Sequence, residues 1–159
     1  MIDLETRARV QDFLFEEARR LDAGEFEAWL DLYEEDGIYW MPSQRGQTDP
    51  LNVASIIYED HAILSIRVQR LLEARALVLT PMPYTTHLVT NVVVSMDEDG
   101  LVKAASAFLC ISMQGGEQKI FAGRQTHTLA PAGDSYLIRH KRVDLVNAGS
   151  ALPLMTIPI

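Results

Sequence analysis

The chain has 159 residues, 48% of them apolar, and carries 14 basic against 22 acidic side chains for a formal charge of −8. That length fits one domain, 1–159, enclosing one substantial core, and the charge has the wrong sign for binding nucleic acid or an anionic membrane surface. The single cysteine, Cys110, allows neither an internal disulfide nor a Rieske cluster, which takes two Cys and two His, and it argues against structural zinc.

The opening segment "MIDLETRARVQDF" carries acids and lacks the apolar run of a signal peptide. No apolar stretch reaches the roughly 18 residues a membrane helix needs, so a soluble cytoplasmic protein is expected. In "LETRARVQDFLFEEARRLDAG" the residues Val10, Phe13, Leu14, Ala18 and Leu21 recur at three- and four-residue steps, which predicts a helix stopping at Gly24. "EFEAWLDLYEEDG" reads as a second helix with Phe26, Trp29, Leu30 and Tyr33 on one face and its acids on a solvated one. "IYWMP" predicts a first strand stopped by Pro42, and "SQRGQTDPLN" a loop. Over residues 58–72, Leu64, Val68, Leu71 and Leu72 return to helical spacing, with Arg67 and Arg70 on another side.

After "TPMPY" four β-like runs are separated by "DEDG" at 97–100, "QGGE" at 114–117 and "PAGD" at 131–134. Three helices followed by this antiparallel meander predict an α+β domain in which a curved sheet wraps helices gathered on one face. Cys110, within "AASAFLCISM", takes a buried strand position.

The polar residues offer few chemical constellations. In "YTTHLVTNVVV" strict alternation points His87, Val89, Asn91 and Val93 one way, with the Cα atoms of His87 and Asn91 roughly 13 Å apart, too far to share one ion. Asp60 has an ordinary helix-capping explanation, yet Asp60 with His61 or His87 could form an acid/base couple. A lone strand histidine is more often scaffold than catalyst. A symmetric "PAGD" turn would set Gln125 opposite His140 and His127 diagonal to it, a slender basis for a metal site that one step of register removes. Phosphate-cradling loops, a nucleophile elbow and HExxH are all missing from the chain.

Taken in order, "FLFEEARRLDAGEFEAWLDLYEEDGIYWMP", "YEDHAILSIRVQRL", "THLVTNVVV", "FAGRQTHTL" and "YLIRHKRVDLVNAGSALPLMTIPI" resemble the beta, or small, subunit of the aromatic-ring-hydroxylating dioxygenases over nearly the full length. One departure is Thr86, where the family often has an arginine before the strand histidine. The resemblance implies the cone-shaped α+β fold of the nuclear transport factor 2, ketosteroid isomerase and cystatin-like type. It implies a mainly structural role without catalytic, metal or cofactor site in this chain. The Rieske cluster and the non-heme iron then belong to the alpha subunit, which dihydroxylates the aromatic ring with electrons from NADH delivered through a reductase. The expected partners are that alpha subunit and a self-trimer within a hetero-hexamer, with no nucleic acid or membrane. His87 and Asn91 become scaffold, and Arg67, Arg70, Arg124 and Arg142, at family-matching positions, are expected to pair with acids within the trimer or across to alpha. Two other readings remain open. One is a metal-free dehydratase or isomerase of the same cone fold using Asp60, His61 and His87 with Tyr39, Tyr58 or Tyr84. The other is a homo-oligomeric small-molecule binding module.

Overall fold

A computed structural model describes residues 1–77 and 82–159. Its elements in chain order are α1 (Leu4–Asp22), α2 (Phe26–Leu30), β1 (Tyr33–Pro42), β2 (Ser55–Asp60), α3 (His61–Leu77), β3 (Tyr84–Met96), β4 (Val102–Gln114), β5 (Glu117–Ala132) and β6 (Ser135–Leu145). The strands form a six-stranded sheet in the order β2-β1-β6-β5-β4-β3. Every pairing is antiparallel except β1 with β6. The helices pack on this sheet, as the α+β reading expects. The part of "TPMPY" before Met82 lies outside the described residues.

Asp3 caps α1 by accepting the Thr6 amide at 2.7 Å, and Gly24, at φ 70°, ends it where the sequence predicts. The stripe that α1 buries is Val10, Phe13, Leu14, Glu17 and Leu21, apolar but for one carboxylate. In α3 the buried residues Leu64, Val68 and Leu71 follow the predicted spacing. Trp29, Phe26, Tyr39 and Met41 join them under the sheet to make the core.

The meander β3 to β6 is closed by the three turns the sequence marks. Gln114 pairs with Glu117 around Gly115 and Gly116, both at positive φ, and Ala132 pairs with Ser135 around Gly133 and Asp134. Two-residue hairpins of this kind need left-handed backbone, which glycine adopts without a Cβ penalty.

The first strand is longer than predicted. Residues 33–37, read as the end of a second helix, are strand, leaving α2 only five residues long. Residues 55–60 form β2, although 58–60 read as the start of the third helix. The cause is tertiary: β1 lies between β2 and β6, and this pairing overrides the local helical spacing.

Asn91 gives a second correction. It sits at φ 55° in a bulge between Thr90 and Val93, so the inward set of β3 shifts from His87 and Val89 to Val92 and Val94, and Val93 turns outward. Asn91 and His87 therefore do not share a continuous face. The bulge increases the twist of an edge strand, a common device against edge-to-edge association.

Candidate functional site

The residues that sequence reasoning set together do not converge. Asp60 ends β2, at one edge of the sheet, and its Oδ1 caps α3 by accepting the Ile63 amide at 2.9 Å. His61 opens that helix. His87 lies on β3, the opposite edge strand, and its partner is Asp22 at the end of α1. Tyr58 and Tyr84 are exposed, and the Tyr39 hydroxyl donates to the main-chain oxygen of Ile159 at 2.8 Å. His87 therefore does not meet Asp60 and His61, because it sits on the opposite sheet edge with Asp22 as its partner.

His87 is tied into the scaffold through its ring Nδ1 and its main-chain amide. Its Nδ1 lies 2.6 Å from Asp22 Oδ1, its main-chain amide donates to Asp22 Oδ2 at 2.9 Å, and the Thr85 hydroxyl donates to Oδ1 at 2.9 Å. One carboxylate thus fixes the imidazole and caps a backbone N–H of an edge strand. Burial pushes the Asp22 carboxyl up, but the hydrogen bonds it accepts from the His87 ring, the His87 main chain and the Thr85 hydroxyl outweigh it and hold it below the usual range.

A buried polar constellation was missed by sequence reasoning. Glu17, Lys141 and His127 are each no more than 2% exposed. Lys141 Nζ donates to Glu17 Oε1 at 2.6 Å and to the Ile159 main-chain oxygen at 3.2 Å; His127 Nε2 is 2.7 Å from Glu17 Oε2, and the Trp29 indole donates to Oε1 at 3.2 Å. Burial alone would raise the Glu17 carboxyl; the charges of Lys141 and His127 more than offset it and hold the carboxyl far below its ordinary range. The signal was available: Glu17 stands at helical spacing between Leu14 and Leu21 on the buried stripe. Lys141 was harder to see. A register shift between Thr128 and Leu129 pairs Thr128 with His140 and His127 with Lys141, which sends His127 inward with Lys141. The same register overturns the Gln125–His140 pairing, since Gln125 pairs with Val143.

Two of the four arginines find acids within this chain. Arg67 pairs with Glu59 of its own chain, Nε to Oε2 at 2.9 Å with a second contact between Arg67 Nη2 and Glu59 Oε1. Arg142 grips Asp144 through Nε at 2.7 Å and Nη2 at 2.9 Å, with its guanidinium 4.4 Å from the Trp40 ring centroid. Residues two apart on a strand share a face, so Asp144 reaches Arg142 without any second subunit. Arg70 and Arg124 are exposed. Arg67 and Arg70 border an open apolar groove of about 370 Å³ with Ile63, Ile66, Leu71 and Thr156.

Among the described residues no group of three His, Cys, Asp or Glu could hold a metal. Cys110 is buried, and burial pushes its thiol up to about 12, so it offers no ready thiolate. A Rieske cluster needs more than the one cysteine the chain has.

Helices on a strongly curved, mainly antiparallel sheet, with the interior closed by a buried ionic cluster, define a cone-shaped α+β protein of the nuclear transport factor 2 type. The model of the ring hydroxylating beta subunit family matches residues 16–149, and the chain belongs to that family. It is 34% identical over 151 residues to the anthranilate 1,2-dioxygenase small subunit of Acinetobacter baylyi, covering 92% of this chain and 93% of that one. It is 33% identical to the toluate 1,2-dioxygenase subunit beta of Pseudomonas putida, covering 87% and 88% respectively. In structure it is similar to the beta subunit of benzoate 1,2-dioxygenase from Burkholderia mallei, with a TM-score of 0.81, 27% identity and 99% of both chains covered.

Proposed function

We propose that this chain is the small subunit of an aromatic-ring-hydroxylating dioxygenase and that its role is mainly structural. The observation that carries the reading is the family match across most of the chain, together with relatives that are themselves small subunits of dioxygenases acting on aromatic acids. The interior supports it. Two carboxylates under the sheet are held by basic and polar neighbours, Glu17 by Lys141, His127 and Trp29, and Asp22 by His87 and Thr85. This arrangement suits a rigid scaffold better than a reaction chamber.

In this reading 1–159 is one domain that assembles as a trimer beneath an alpha trimer, giving a hetero-hexamer in the cytoplasm. The alpha subunit carries the Rieske cluster and the mononuclear iron, which supply dioxygen activation, and this chain holds those subunits in place. His87 and Asn91 shape the β3 edge. Arg70 and Arg124, exposed in the chain, are the arginines available to acids of a neighbouring subunit, whereas Arg67 and Arg142 present surfaces already organised by Glu59 and Asp144.

The test is metal and activity analysis of the purified chain beside the complex formed with a large subunit from the same operon. Iron and NADH-dependent ring dihydroxylation should follow the large subunit. Turnover of an aromatic or ketosteroid-like substrate by the chain alone would contradict the reading.

A further inference from the structure

The Asp22–His87 pair and the Glu17–Lys141–His127 cluster face one another across a small cavity that neither fills. Leu14, Leu21, Glu17, His87, Gln125 and Lys141 border it, and it has about 10 Å³ of room for the centre of a water molecule. That is close to the space one water occupies, and a water is stable in such a place only with two to four polar partners.

The hydrogen-bond inventory supplies them. Asp22 Oδ1 lies 2.6 Å from His87 Nδ1, and because a carboxylate only accepts, Nδ1 carries the proton. In the neutral ring Nε2 then presents a lone pair, and this buried nitrogen makes no hydrogen bond among the described residues. An ammonium has three N–H donors, and Lys141 directs two of them at Glu17 Oε1 and the Ile159 oxygen. One donor remains. We propose that a single ordered water occupies this cavity, donating to His87 Nε2 and accepting the third N–H of Lys141, with the Gln125 side-chain amide as its further partner.

The water joins the Asp22–His87 pair and the Glu17 cluster into one continuous network, running from Asp22 at the end of α1 through His87 to Lys141, Glu17 and His127. It also accounts for an imidazole whose side chain is only 5% exposed and whose outer nitrogen would otherwise pay the cost of burial unbonded. The bridge locks β3 to β5 and β6 through the interior, in addition to the sheet's own ladder.

The experiment is a crystal structure of the full chain, or of its complex with the large subunit, at a resolution that shows ordered water. A density peak is expected within hydrogen-bond distance, about 2.6–3.2 Å, of both His87 Nε2 and Lys141 Nζ. A dry cavity, or His87 Nε2 bonded directly to Gln125, overturns the proposal. The wild-type map decides this alone. His87→Phe, which keeps the ring and deletes the acceptor, should lose the peak while Lys141 still contacts Glu17; a peak of unchanged position and occupancy in that variant shows that His87 does not hold the water and overturns the bridge.

Discussion

Glu17 lies on the side of α1 that the helix turns toward the core, and it stays ionised there because Lys141 and His127 come to it from β6 and β5. Removing one member of a buried ion pair leaves the others charged without compensation, at a cost of about 3–5 kcal/mol. Glu17→Ala should therefore lower unfolding free energy by about that amount in urea titration. The pH dependence follows the same group. Its folded carboxyl is depressed below the ordinary value of 4.5, as is that of Asp22 below 3.8, so both contribute stability that is fully present above those values and lost as the pH falls. Tm should be flat from neutral pH to about 5 and drop steeply below it, and Glu17→Gln should flatten the drop. Asp22 is partly exposed and carries the smaller share. The cluster was legible only in part: a carboxylate at an apolar helix position could be read from spacing, but its partners lie 110 and 124 residues away, beyond any local pattern. The place of His87 on a strand was legible; its partner Asp22 was not.

At the scale of elements, two backbone positions fix how the strands meet. A Cβ on Gly123 would lie 2.0 Å from the Asp144 carbonyl oxygen, so β5 and β6 approach there only because residue 123 has no side chain. Gly123→Ala should destabilise by about 2–3 kcal/mol in urea unfolding, since the contact is with backbone that cannot step aside. Asn91 holds a left-handed conformation that a β-branched residue strongly resists. Asn91→Val should cost about 1–2 kcal/mol while Asn91→Gly stays within about 0.5 kcal/mol, a contrast measurable by thermal unfolding. The hairpin turns were readable because Gly-containing turn chemistry is local. The start of β1 and all of β2 were not, because Tyr33, Trp29 and Leu30 fit a helical face equally well until β6 pairs in parallel with β1. The bulge at Asn91 was hidden for a related reason: strict alternation gives the right faces only where no residue is inserted.

For the whole molecule, the surface left by the fold is where a partner must bind. Arg142 stacks on Trp40 and holds Asp144, so it presents a rigid polar plate. Arg142→Ala should reduce the yield of assembled complex on sizing while turnover per assembled iron site stays within about twofold; unchanged assembly would remove this side from the interface. The overall class was legible from the order of helices, meander and turns, and the subunit role from motif order along the chain. The interior network and the tethering of Ile159 to Tyr39 and Lys141 came only from the fold. The most direct measurement is light scattering of this chain co-expressed with a large subunit from the same operon. A mixed assembly containing both chains in equal number, heavier than either alone, is the predicted result. A chain that stays apart from every such partner as a self-assembled oligomer would contradict the account.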